Sequence, residues 1–210
     1  MDKKEIAAKI KEAIDASPDR KFTESVDACF NFKDVDMESS EHRLNVNILL
    51  PKGRGKGIEI GVFADGDMNV KAKKLSTHVL DKNETQSYAG DRRKMRKYAS
   101  ECYTFLAQPE LMAIVGKNWG VVLGSRGKMP QPVPPNADLN AVFERFKNSV
   151  RVKSKKAPNI NVPIGTRAMT PDDLAENLLA VYSNIERQIP DENIRSLFVK
   201  TTMGKPVKIR

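Results

Sequence analysis

The sequence predicts a two-domain protein of mixed α/β and α+β class, in which a domain built on a parallel sheet interrupts one built on antiparallel strands. Three observations lead there. The first fifty and last sixty residues carry strands of period two, apolar on one face and polar on the other, as an antiparallel sheet with one solvated face requires. From Ile58 the strands become continuous apolar runs with helical segments between them, the pattern of a parallel sheet covered on both faces. A glycine-rich basic connector, Lys52-Gly-Arg-Gly-Lys-Gly57, marks the change. Neither flank reads as a complete core alone. A discontinuous domain of residues 1–60 plus 149–210, with 61–148 inserted, is the economical arrangement.

In order, Ile6, Ile10, Ala13 and Ile14 keep helical spacing and stop at Ser17-Pro18. Val26, Ala28, Phe30 and Phe32 alternate with polar residues. Across a polar loop Leu44, Val46, Ile48 and Leu50 do the same, and the two runs are expected to pair antiparallel. In the middle section strands are expected at 58–64, 78–80 and 103–107, with helices at 69–75, 84–99, from Pro109 onward, and at 138–147. The proline-rich run 130–135 reads as an extended connection. Val150 with Val152, and Ile160, Val162 and Ile164, then restore the alternating pattern. Thr170-Pro-Asp-Asp173 is a helix start with a threonine cap, a first-position proline and acids at the positive end of the dipole. Leu174, Leu178, Val181, Tyr182, Ile185 and Ile189 form its apolar stripe before Pro190. A last strand holds Leu197, Val199 and Thr201 in phase, turns near Met203, and resumes at Val207 and Ile209.

Composition narrows the function classes. With 40% apolar and 30% charged residues the chain is globular. No apolar run approaches the ~20 residues of a membrane span and the start is charged and amphipathic, so no membrane partner and no signal peptide are expected. Cys29 and Cys102 lie in separate apolar runs and are expected as buried free thiols in a reducing, intracellular compartment. The net charge of +9 is concentrated at the end, with twelve basic against six acidic residues over 147–210. That is the footprint of a polyanion partner, and nucleic acid is favoured because no basic amphipathic helix with an aromatic face appears.

Catalytic and metal motifs are missing. Gly53-Arg-Gly-Lys-Gly57 lacks the third glycine of a dinucleotide loop, and no phosphate-loop motif occurs. Asp65, Asp67 and Asn69 open like a calcium loop, but Val70 and Ser76 replace its glycine and closing glutamate. Leu123 spoils a nucleophile elbow at Ser125, and His42 and His78 have no ligand-spaced neighbour. No catalytic residue, metal or cofactor is therefore assigned. The competing class is a nucleotide-binding enzyme using the parallel-sheet domain. The turn at Thr201, Thr202, Met203 and Gly204, flanked by Lys200, Lys205, Lys208 and Arg210, offers small donors and bare backbone suited to a phosphodiester chain. The plain alternative is a terminal hairpin whose threonines serve only as strand formers.

Three stretches resemble one family: Arg20-Lys-Phe-Thr-Glu-Ser-Val26, Val115-Gly-Lys-Asn-Trp-Gly-Val-Val-Leu-Gly-Ser-Arg-Gly-Lys-Met-Pro130 and Thr201-Thr-Met-Gly204. They are similar to the L-one family of large-subunit ribosomal proteins, the protein of the mobile stalk, in its archaeal form. The resemblance implies a discontinuous split α+β sandwich as RNA-binding domain I and an inserted Rossmann-like three-layer α/β domain II. It implies ribosomal RNA contacts from Lys21, Phe22, Thr23, Glu24 and Ser25, and from Lys200, Thr201, Thr202, Met203 and Gly204. Asn161 stands where bacterial members often carry histidine and is carried over with them. Arg126 and Lys128 are secondary RNA-contact candidates. The resemblance further implies a cytoplasmic, ribosomal location, release of deacylated tRNA from the exit site, and translational repression through the leader or coding region of the protein's own mRNA. The free protein is expected to be a monomer.

Overall fold

In the computed structural model the first helix, α1 (Lys3–Asp15), begins where Asp2 turns its carboxylate onto the backbone N–H of Lys4. The structure describes residues 2–36, 39, 42–135, 137–154 and 156–210. Ile6, Ile10 and Ala13 form the buried stripe of α1. β1 (Ser25–Phe32) buries every second residue, and β2 (Asn45–Leu49) follows after the polar loop. The chain then enters a second compact unit, Gly57–Lys147, before returning to the first, which comprises Met1–Lys56 and Asn148–Arg210.

In the second unit, β3 (Ile60–Phe63) leads to α2 (Gly66–Lys73) and β4 (Val79–Leu80). Next come α3 (Lys82–Ser87), α4 (Arg92–Glu101) and β5 (Thr104–Ala107). After one 3-10 turn the chain continues through α5 (Met112–Ser125), β6 (Gln131–Pro132) and α6 (Leu139–Lys147). The sheet is parallel with order β4-β3-β5-β6. Ile60, Val62 and Leu106 face Met68, Ala72 and Phe143 of α2 and α6, while Phe63, Phe105 and Ala107 face Met95, Trp119 and Leu123 of α4 and α5. Apolar residues on both faces of one strand are what gave β3 and β5 their unbroken runs.

Back in the first unit, β7 (Ser149–Lys153), β8 (Asn159–Thr166), α7 (Pro171–Glu186), β9 (Ile194–Thr201) and β10 (Val207–Lys208) complete the chain. Thr170 caps α7 as its sequence specifies, accepting from the N–H of Asp173 at 3.2 Å. The sheet is antiparallel with order β10-β9-β1-β8, and α1 and α7 cover its inner face. Among the described residues no helix is long and apolar enough to cross a membrane.

Several expectations are corrected. β1 does not pair with β2; it lies between β9 and β8, and β2 forms a two-stranded ribbon with β7. Alternation identifies a buried face but carries no information on which strand lies beside it. The helix expected over 84–99 is broken, because Gly90 takes φ 104° and Asp91 starts α4 by accepting from the N–H groups of Arg93 and Lys94. α2 starts earlier than expected, with Asp65 as its cap. The proline-rich run supplies an edge strand, where Pro132 costs no ladder bond. Cys102 is buried, but Cys29 sits half-buried on the outer face of β1.

Candidate nucleic-acid interface

Three segments meet at one end of the antiparallel sheet. The register sets Val26 opposite Thr201 and Ser25 opposite Thr166, so the segment before β1, the turn after β9 and the loop after β8 are neighbours. Thr202 continues the ladder beyond β9. Its N–H donates to the carbonyl of Ser25 at 3.0 Å, and its hydroxyl oxygen accepts from the N–H of Ser25 at 3.1 Å.

Beneath this rim lies the carboxylate of Glu24, fully buried. One oxygen accepts from the backbone N–H of Met203 at 3.0 Å, and the other from the Ser17 hydroxyl at 2.9 Å. Arg20 and Arg167 approach at 3.5 and 3.6 Å. Arg167 also donates to the carbonyl of Pro18 and pairs with Asp19, and its own N–H donates to the carbonyl of Glu24. Burial alone would push the Glu24 carboxyl up. The Met203 and Ser17 hydrogen bonds, then the two guanidiniums, outweigh it and hold the group ionised below the usual glutamate range. One buried anion thus ties all three segments together.

The surface above it is apolar and hydroxylic. Lys21, Thr23 and Thr202 are exposed; Phe22 is 53% and Met203 62% exposed, which rules out a core role for either. Ser25 and Gly204 are half-buried beside them. Gly204 is a glycine for space, since a Cβ there would lie 2.3 Å from Oγ1 of Thr201. The sequence reading assigns that glycine to close approach of a ligand; its nearest constraint points inward.

Lys200 and Asn161 lie on the open outer face of the sheet rather than on its rim. Lys200 is opposite Asp27, and Asn161 is opposite Cys29. Glu24 and Thr201, expected among the contacts, are both buried and shape the surface from below. Arg126 and Lys128 belong to the second unit. Nζ of Lys128 donates to the carbonyls of Ala99 and Cys102 at 2.8 and 2.5 Å, finishing α4, and burial together with Arg126 lowers its pKa. Arg126 donates to the Ser100 hydroxyl at 2.6 Å. Ser17 and Arg167 were not foreseen as parts of the rim. No local pattern marks either: Arg167 reaches its partners from a distant loop, and Ser17 meets Glu24 only because the chain folds back between them.

This arrangement can present one flat ring, one thioether, hydroxyls and exposed backbone on a fixed scaffold. Its strongest charges are already neutralised internally, and among the described residues no cluster of His, Cys, Asp and Glu could hold a metal. Such a surface is chemically suited to contacts by shape, stacking and hydroxyl hydrogen bonds rather than by charge alone.

Comparison with known proteins agrees with the family resemblance noted above. The ribosomal protein L1p/L10e family matches residues 8–205. The large ribosomal subunit protein uL1 of Methanosarcina barkeri is 40% identical, with all of both chains covered. That of Thermoplasma acidophilum is also 40% identical, covering all of this chain and 98% of its own. That of Thermofilum pendens is 44% identical over 95% of this chain and 90% of its own.

Proposed function

The chain belongs to the ribosomal protein L1p/L10e family, structural and non-enzymatic constituents of the cytoplasmic large ribosomal subunit, and from that premise we propose that the rim of its antiparallel sheet binds a structured helix-loop of large-subunit rRNA. One observation carries the reading: at one end of the sheet Met203 is exposed while its backbone N–H is held by the buried Glu24, Thr202 is exposed while paired to Ser25, and Phe22, two residues before Glu24, is exposed as well. A solvent-exposed ring and thioether on so constrained a support fit a partner that supplies flat bases and 2′-hydroxyls. We assign this role to the discontinuous part of the chain, residues 1–60 plus 149–210, with 61–148 as an inserted domain. The same proposal extends to two finer roles: assisting release of deacylated tRNA from the exit site, and repressing translation by binding a similar structure in the protein's own mRNA. The free protein acts as a monomer.

The nucleotide-binding alternative is disfavoured by the groove at the carboxyl ends of β3 and β5. Asp65, Asp67 and Glu110 line it, and the Asp65 carboxylate already occupies the first N–H of α2 at 2.9 Å. Three carboxylates against one lysine, Lys71, leave the groove net negative where phosphates would need donors. The test is ultraviolet crosslinking of the protein inside its cell, followed by sequencing of the attached RNA. Enrichment of one helix-loop of large-subunit rRNA is expected; an even spread over cellular RNA would overturn the assignment.

A further inference from the structure

Helix α4 of the second unit reads Arg-Arg-Lys-Met-Arg-Lys-Tyr-Ala-Ser-Glu, and only Met95 and Ala99 are buried. At 100° per residue, Arg92, Arg96 and Ser100, and beside them Arg93 and Lys97, fall on one continuous exposed arc. Lys94 lies off this arc and pairs with Asp91. Among the described residues the side chains of Arg92, Arg93, Arg96 and Lys97 make no ion pair or hydrogen bond. Arg126, arriving from the end of α5, hydrogen-bonds Ser100 and so extends the arc by a fifth cation.

This arrangement works against the helix that carries it. Beyond the capping Asp91, the first turn of α4 holds three cations and no acid, where the positive end of the dipole favours anions. Arg92 with Arg96, and Arg93 with Lys97, are like-charged pairs at i,i+4, each unfavourable. A locally destabilising pattern of one sign on one face is the mark of a surface kept for a partner. Membrane is the poorer fit, because the apolar residues of α4 point into the unit and leave nothing to insert. Four guanidiniums among five cations match the bidentate geometry of phosphate oxygens.

We propose that the Arg92–Arg93–Arg96–Lys97 face of α4, with Arg126, is a second RNA-binding surface that grips the phosphate backbone of an RNA helix. It is separate from the rim of the first unit and stands or falls independently of it. The test uses the full chain with Arg92, Arg93, Arg96 and Lys97 all changed to Gln, residues that keep helix propensity. Three RNAs are titrated with salt: a large-subunit helix-loop fragment bound through the rim, the same fragment extended by its flanking helices, and an unlinked duplex added to protein already carrying the first fragment. The expected result is unchanged binding to the short fragment and a salt slope shallower by about 3 on one of the other two, from ~0.7–0.9 per cation. Loss on the extended fragment assigns the surface to the same RNA, and loss on the unlinked duplex to a second one. Single Arg96→Gln and Lys97→Gln variants, each expected to lower the slope by about 0.8, give the same readout should the fourfold change unfold the unit. Unchanged slopes on both RNAs, or competition by poly-L-glutamate as strong as by duplex RNA, would overturn the proposal.

Discussion

Glu24→Gln isolates the buried anion from its shape. The wild-type carboxylate accepts from Met203 N–H and Ser17 hydroxyl on separate oxygens, whereas an amide keeps one acceptor and turns the other atom into a donor. The amide oxygen can keep the Met203 N–H while the Ser17 hydroxyl turns to accept from the amide N–H, so both contacts survive only as neutral hydrogen bonds. A hydrogen bond to a charged group contributes about 1.5–3 kcal/mol and a neutral one about 0.5–1.5, so the two weakened bonds together cost about 2–3 kcal/mol. Arg20 and Arg167 also lose their counter-charge, but their side chains are 30% and 24% exposed and partly screened, so this adds little. We expect a net loss of ~2–3 kcal/mol, a fall in Tm on the order of 10 °C for a unit of this size, and about tenfold weaker binding to the helix-loop RNA as Met203 is held less firmly. The pH dependence has a definite sign. Because the folded pKa is depressed, the stabilisation is present above the unfolded glutamate value and is lost as pH falls through the folded one. Wild-type stability should therefore drop below about pH 4.3, and part of that drop should vanish in the variant. The assay is thermal unfolding by circular dichroism at pH 7 and pH 4, beside RNA affinity at pH 7. A Gln variant within ~0.5 kcal/mol of wild type, the range of ordinary surface changes, and with unchanged affinity, would refute the hub.

Gly204→Ala should cost about 1–3 kcal/mol through overpacking against Thr201 Oγ1, and Thr201→Ala in the same chain should recover much of it; strictly additive losses in a double-mutant cycle of thermal melts would refute the contact. Replacing residues 57–147 by a short glycine linker should leave the first unit folded and RNA-binding, because its core cluster draws only on its own two segments; an unfolded product by circular dichroism would count against it. Lys128→Met should loosen the end of α4 by about 1 kcal/mol through two unpaired carbonyls, seen as faster amide hydrogen exchange over 97–102, while leaving helix-loop binding unchanged.

Much of this architecture is legible in the chain, and the exceptions have physical causes. The α7 cap, the alternation of β1 and the double-faced apolar runs of β3 and β5 each carry a local signal, and each element is where its signal lies. The partners of β1 carry none, because β8 and β9 meet it only through the tertiary fold. The burial of Glu24 and Thr201 was written in the same alternation: Glu24 is in phase with Val26 and Ala28, and Thr201 with Leu197 and Val199. Period two decides which side chains face inward, even where a polar residue makes the outward reading attractive. Arg167 could not be found this way, since its importance lies in reaching Pro18, Asp19 and Glu24 from a distant loop.

The central claim, that the rim recognises folded RNA by contacts other than charge, is tested most directly by one salt titration. Binding of the full chain is measured against a large-subunit helix-loop RNA and a random single strand of equal length. Non-ionic contacts release no counterions, so the helix-loop should show the shallower slope of log affinity against log salt. Phe22→Ala should weaken only that complex, by about 1–2 kcal/mol, the scale of a buried apolar side chain. Equal slopes on the two RNAs, with Phe22→Ala affecting neither or both alike, would show that the rim is a generic cationic face and contradict the account.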